Sequence, residues 1–405
     1  MKIAMVSEHA SPLAVLGGVD AGGQNVHVAA LSVALAARGH RVRVYTRRDS
    51  VRLPPTVPLA PGVDVVHVPA GPPTALPKDD LPPYMPEFGD WLAAHWSLDG
   101  APDVIHAHFW MSGIAALRAA RTIPVPVVQT FHALGSVKRR HQGIRDSSPP
   151  DRIAIETTIA ANVDLVIATC SDEVTELRRM GVTKKAISVV PCGVDTAMFT
   201  PLGAVPESVK RSADATLLAV GRLVERKGVD TVIRALDLLP GVELLVAGGP
   251  DSTALDDDPE AVRLRSLATS LGVQDRVRLL GRVAHDRLPQ LMRSCDLVVC
   301  PPTYEPFGIV PIEAAACGKA VVGTAVGGLL DTVVDGSTGT LVPPKNPAAI
   351  AAAVRELLAD NRRRRRFEVA ARLRALSLYD WGSVSAATAA AYLTVVRAPH
   401  AEVSA

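Results

Sequence analysis

One rhythm constrains this chain more than any other feature. Short apolar runs alternate with longer amphipathic stretches, stop at a polar, proline-bearing stretch, and start again. The opening is legible in detail. Ile3-Ala4-Met5-Val6 reads as a buried strand, followed by a glycine-rich connection holding Gly17-Gly18 and Gly22-Gly23. From Asn25 the pattern turns helical, with Val28, Leu31 and Leu35 on one face. Gly39 is placed to cap that helix, and Val42, Val44 and Tyr45 form the next strand. Strand, helix and strand in this order favour a right-handed crossover and a parallel sheet. Further strands are expected at Val63–Val68, Val104–Ala107, Val125–Gln129, Leu165–Ala168 and Ile187–Val190.

The stretch from Pro201 to Asp214 reads as a linker. Beyond it strands are expected at Leu217–Val220, Leu244–Ala247, Val277–Leu280, Leu297–Cys300, Ala320–Val322 and Thr340–Val342, with a helix over Val229–Leu239. A length of 405 residues, at about 150 per domain, fits two α/β domains. The default ligand site is then the cleft between them.

Composition narrows the classes. With 48% hydrophobic and 21% charged residues the chain is globular rather than disordered. A net charge of +2 and only 4% aromatics argue against a nucleic-acid partner. Cys170, Cys192, Cys295, Cys300 and Cys317 include no Cys-x-x-Cys pair, so neither a disulfide framework nor a zinc site is expected, and the setting is a reducing cytoplasm. The first apolar run is too short for a signal peptide. The longest one, Ile312 to Leu330, is broken by Glu313, Lys319 and glycines, so no transmembrane segment is expected. The run Arg362–Arg366 lies in a helical segment ending near Leu376; it reads as a solvated face, with an anionic membrane or partner surface as the other reading.

The strongest chemical signal is Tyr304-Glu305-Pro306-Phe307-Gly308-Ile309-Val310-Pro311-Ile312-Glu313, directly after a strand. Two carboxylates bracket a glycine at a strand-to-helix transition. A helix opening at Gly308 would present free N–H groups to an anion, while Glu305 and Glu313 suit sugar or ribose hydroxyls. Gly221-Arg222-Leu223-Val224-Glu225-Arg226-Lys227-Gly228 places cations between a strand and a helix, where a diphosphate would sit. Asp256-Asp257-Asp258 precedes Pro259 and reads as a helix cap rather than a metal site.

These motifs resemble the Glu-x7-Glu signature and basic loop of the family 4 retaining glycosyltransferases, and the resemblance covers most of the chain. It implies the GT-B architecture, two Rossmann-like domains facing across a deep cleft. An acceptor-binding domain would span residues 1–200 and a nucleotide-sugar-binding domain 201–380, with a helical tail over 381–405 crossing back to the first. By the same resemblance Arg222 and Lys227 hold the donor pyrophosphate, Glu313 the ribose, and Glu305 hydroxyls of the transferred sugar. Phe307, Gly308 and Ile309 border the donor, and Arg282 in Gly281-Arg282-Val283 reads the base edge. Gly22 and Gly23 approach the donor phosphates, Asn25 the acceptor, and His132 lies beneath the reacting sugar. His106 and His108 are supporting residues.

The groups most similar are the sucrose-type enzymes and the mycothiol-pathway transferases that glycosylate inositol phosphate. Asp20-Ala21-Gly22-Gly23-Gln24-Asn25-Val26, Lys78 and Arg152 carry that similarity. In the mycothiol-pathway group Lys78 and Arg152 correspond to holders of the acceptor phosphate, but a Tyr and a Thr of that site stand here as Phe109 and Ala133. Arg152 also has Glu156 one helical turn on, as an ordinary ion pair. The implied reaction is transfer of a hexose of glucose or N-acetylglucosamine type, with retention, from a UDP-linked donor to a small-molecule or glycan hydroxyl. The nucleotide sugar is a substrate, and no essential cofactor or metal is expected. A GDP-mannose-dependent mannosyltransferase and a non-catalytic nucleotide-sugar-binding protein stay open, as do a homodimer and a peripheral membrane contact. A nicotinamide oxidoreductase is disfavoured, because the first strand lacks the Gly-x-Gly-x-x-Gly turn.

Overall fold

A computed structural model of the protein describes residues 1–13, 23–205 and 213–396, apart from the side chains of Arg145 and Lys185. It divides into two units, Met1–Pro191 with Trp381–Ala405, and Cys192–Asp380.

The first unit carries strands β1 (Lys2–Val6), β2 (Arg41–Arg47), β3 (Thr56–Ala60), β4 (Val63–Val68), β5 (Val104–His108), β6 (Val127–Thr130), β7 (Leu165–Ala168) and β8 (Ile187–Val189). Between them run α1 (Gly23–Ala37), α2 (Met85–Asp99), α3 (Trp110–Ala120), α4 (Gly135–Gln142), α5 (Arg152–Asn162) and α6 (Ser171–Arg179). The sheet order is β3-β4-β2-β1-β5-β6-β7-β8. All neighbours are parallel except β3, which pairs antiparallel with β4 at the edge. Sequence reading misses β3 because Pro58 lies inside it, and an edge strand is where a proline with no N–H is tolerated. β6 begins at Val127, later than the predicted Val125, because Pro126 intervenes.

The second unit carries β9 (Ala215–Val220), β10 (Val242–Ala247), β11 (Val277–Gly281), β12 (Leu297–Cys300), β13 (Val321–Thr324) and β14 (Gly339–Val342). Its helices are α7 (Val229–Leu236), α8 (Pro259–Ser270), α9 (Leu288–Ser294), α10 (Ile309–Ala316), α11 (Leu329–Thr332), α12 (Pro347–Ala359) and α13 (Asn361–Arg374). The order β11-β10-β9-β12-β13-β14 is wholly parallel and doubly wound. β10 and β12 are buried along their whole length, as strands covered on both faces must be. α7 ends at Leu236 rather than Leu239, since the last turn tightens through Leu238 N–H to the Ala235 carbonyl and Leu239 N–H to that of Leu236. Asp258 caps α8, accepting from the Ala261 N–H at 2.8 Å.

The segment after Pro191, expected to close the first domain, packs with the second unit. The Val194 N–H donates to the Tyr379 carbonyl at 2.7 Å, Thr196 Oγ1 donates to Asp380 at 2.6 Å, and Phe199 is fully buried. The last described helix, α14 (Trp381–Val396), belongs to the first unit. There Val384, Ala389, Ala391 and Tyr392 join Val28, Leu31 and Leu35 of α1 in one apolar core.

Candidate active site

In both units the strand order reverses beside the first strand, between β9 and β12 and between β1 and β5. In open parallel sheets this is where the loops at the carboxyl ends diverge and leave a crevice. Most of the motif residues fall at these two places.

In the second unit the loop after β9 and the loop after β12 are zipped together. Lys227 Nζ meets Glu305 Oε2 at 2.5 Å. Arg226 donates to the Tyr304 carbonyl at 2.6 Å and lies 3.5 Å from the same carboxylate, while the Thr303 N–H returns a bond to the Arg226 carbonyl at 2.9 Å. Gly228 has φ +68 and sits so close to Pro301 that a Cβ would strike the Pro301 carbonyl; only glycine fits. Burial alone would push the Glu305 carboxyl up, but Lys227, Arg226 and Arg222 together hold it below the usual range. Arg222 itself is exposed.

Glu305 also precedes α10, whose cap Gly308 has φ +93. The first-turn N–H groups of Ile309 and Val310 have no intrahelical acceptor, and Pro311 has no N–H to satisfy. Phe307 is buried, its ring 6.3 Å from that of Tyr379, so its side chain holds the loop rather than presenting a surface. Glu313 lies in the second turn of α10, buried, with Oε1 2.8 Å from His285 Nε2. Burial would lower His285, but the Glu313 carboxylate, aided by Asp195 and Asp286, raises it. Arg282 follows β11 at the outer edge of the sheet, two strands from β9 and exposed, 3.8 Å from Asp251.

In the first unit four imidazoles pack together at this end of the sheet. His108 Nδ1 and His132 Nε2 share a hydrogen bond at 3.0 Å. His106 bonds Tyr392 Oη of α14 at 2.7 Å and Thr130 Oγ1 at 2.9 Å. His27 of α1 lies edge-on to His132 at 5.1 Å between ring centres. His27, His106 and His108 are buried and His132 is half-buried, and desolvation holds each imidazole neutral: His27 falls to about 4, His106 to about 3, and His108 and His132 well below 6.5. His132 has φ 60 and Phe109 φ 79, left-handed backbone that non-glycine residues adopt at a cost and most often at working sites.

Phe109 is also where Lys78 and Arg152 come together: Lys78 Nζ lies 5.4 Å and the Arg152 guanidinium 5.0 Å from its ring centre. Arg152 is 3% exposed. It bonds Glu156 at 2.7 Å, Ser148 Oγ at 3.1 Å and the Ala133 carbonyl at 2.6 Å, and Glu156 in turn accepts from the Gly135 N–H at 2.8 Å. Asn25 is buried in α1 and donates to the Ser11 carbonyl at 2.9 Å, and Gly23 opens that helix. Gly22 lies outside the described residues.

Four contributors were given no role of their own in the sequence reading. Arg226, His285 and the pair Gly327-Gly328 fix the second-unit site, and Glu8 belongs to the first. Side chains on either glycine would collide with the backbone of Glu305 or Phe307, and the Gly328 N–H bonds the Glu305 carbonyl at 2.9 Å. A glycine pair two residues beyond a strand was the available signal. Glu8, at the carboxyl end of β1, is buried against Ser112 and bonds His9 at 2.5 Å. Among the described residues no cluster of side chains is arranged to hold a metal ion.

Comparison with known proteins identifies both halves. Residues 21–198 match the family described as Glycosyltransferase Family 4, and residues 205–374 the Glycosyl transferases group 1. A D-inositol 3-phosphate glycosyltransferase of Xylanimonas cellulosilytica is 40% identical over 95% of both chains. Another, from Mycolicibacterium vanbaalenii, is 38% identical over 88% of this chain and 82% of its own. Among solved structures, sucrose-phosphate synthase from Thermosynechococcus elongatus superposes with a TM-score of 0.87 at 32% identity, covering 97% of this chain and 98% of that one. The chain belongs to the family 4 glycosyltransferases, retaining enzymes of GT-B fold that take their sugar from a nucleotide donor.

Proposed function

We propose that the protein moves a hexose from a UDP-linked donor, with retained configuration, to a hydroxyl of a cyclitol or sugar phosphate. The observation that carries this reading is the Lys227–Glu305 pair, fixed by Arg226 and Gly228 beside the opening of α10. A diphosphate there would meet Lys227, Arg222 and the N–H groups of Ile309 and Val310; Glu313 would take the ribose and Arg282 the base edge. The second unit is thus the nucleotide-sugar domain and the first the acceptor domain. UDP rests on the sucrose-type resemblance, and the acceptor class on relatives named for inositol 3-phosphate.

In this mechanism the acceptor attacks the face from which the diphosphate leaves. Lys227 and Arg222 stabilise charge on the leaving oxygen, which takes the acceptor proton. Neutral His132 offers a hydrogen bond near the anomeric centre, Gly22 and Gly23 give the donor phosphates close backbone, and Asn25 and Lys78 contact the acceptor.

A second acceptor reading, an uncharged cyclitol or sugar, draws on Arg152. Its guanidinium is already bound to Glu156, Ser148 and Ala133, and Phe109 and Ala133 bring no hydroxyl. A cytoplasmic setting accords with five buried free thiols, of which Cys295, Cys300 and Cys317 are pushed up to about 12 by burial. A homodimer is the oligomeric state to test by light scattering. The deciding experiment measures nucleotide release from a panel of UDP- and GDP-sugars, with and without free and phosphorylated cyclitols and hexoses. Release from a UDP-hexose should rise when a phosphorylated acceptor is added. GDP-mannose as the sole productive donor overturns the UDP assignment, and equal stimulation by the unphosphorylated acceptor selects the second reading.

A further inference from the structure

The arginine run is untouched by the glycosyl-transfer chemistry, and the structure resolves what its members do. Arg363 and Arg364 turn toward the body of the unit, Arg363 to Glu356 at 3.3 Å and Arg364 to Asp296 at 3.6 Å. Arg362, Arg365 and Arg366 project outward. At 100° per residue they share a face with Val369, Ala370, Leu373 and Leu376. Phe367 and Ala371, on the opposite side, are buried in the unit.

This face combines two properties that seldom meet on a solvated helix. It carries no acidic residue, since Glu368 lies off it and is half-buried. It also leaves Val369 61%, Leu373 62% and Leu376 41% exposed. Helical structure persists through a π-helical turn over Ala375–Tyr379, so cations occupy the first part of a long face and aliphatic side chains the rest.

We infer that the outer face of α13 docks on an anionic lipid surface. Arginines would take headgroup phosphates while Val369, Leu373 and Leu376 enter the acyl boundary, the two signals that together give stable peripheral binding. A nucleic acid would use the arginines and leave the aliphatic side chains in water. A second copy of the same face would set like charges against each other.

The test is sedimentation of the full chain with phosphatidylcholine vesicles, with or without phosphatidylglycerol. Binding is expected only with phosphatidylglycerol and should weaken as salt is raised. R362E/R366E and V369S/L373S should each lose at least tenfold in vesicle affinity, with unchanged circular dichroism and nucleotide release. No binding to the anionic vesicles overturns the inference, as does binding that either double variant retains in full. A dimer in light scattering that V369S/L373S dissolves, without vesicle binding by the parent, gives the face to a second copy. Oligonucleotide binding that survives V369S/L373S, again without vesicle binding, gives it to a polyanion.

Discussion

At the scale of single residues, the proposed mechanism gives Lys227 two partners in succession. In the free enzyme it neutralises Glu305; during transfer its charge would be drawn to the departing diphosphate. Lys227→Ala should therefore cut turnover at saturating donor by about 10²–10³, the usual loss for a missing stabiliser of developing charge. It should also raise the Glu305 carboxyl, because its foremost cationic neighbour is gone. An unchanged rate at saturating donor would remove Lys227 from the chemistry. Arg152 answers differently. It is buried in a pair with Glu156, so Arg152→Ala leaves a carboxylate unpaired inside the unit and should cost about 3–5 kcal/mol. Denaturant melts would show this whatever the acceptor is, and an unshifted midpoint would mean that water reaches Glu156. Single residues also mark the limit of sequence reading. Glu305, Glu313 and Lys227 are legible because their spacing encodes a strand-to-helix loop. Arg226 and His285 are not, because their partners, the Tyr304 carbonyl and Glu313, come close only when separate strands align.

At the scale of elements, the four clustered imidazoles, three of them buried, should set the acid limit of the first unit. A histidine held neutral by burial binds its proton better in the unfolded chain. Its contribution is complete above the ordinary 6.5 and is lost as pH falls toward the folded values, about 4 for His27 and about 3 for His106. Each such group should cost roughly 1.4 kcal/mol per pH unit below 6.5. Thermal melts should drop steeply between pH 6.5 and 4.5, and a flat profile would show that the cluster is already hydrated. The alternation of elements was readable nearly throughout, since strands covered on both faces must be apolar runs. β3 was not, because its proline and edge position remove the pattern that marks a central strand.

At the scale of the whole molecule, the two units differ in how the chain builds them. Cys192–Asp380 is one uninterrupted segment, whereas the first unit needs α14 from far along the chain. Tyr392 gives that unit a fully buried ring and a bond to His106. Linear order and folding order are therefore opposed. During synthesis, the segment that leaves the ribosome first is the one that is finished last. At ~5–20 residues per second, the stretch from Cys192 to Tyr392 takes about 10–40 s to make. Throughout that interval the faces of Val28, Leu31 and Leu35 that α14 will cover stay open to water. A nascent chain in that condition exposes apolar surface of the kind that chaperones exist to cover, and α14 closes the first sheet to be started.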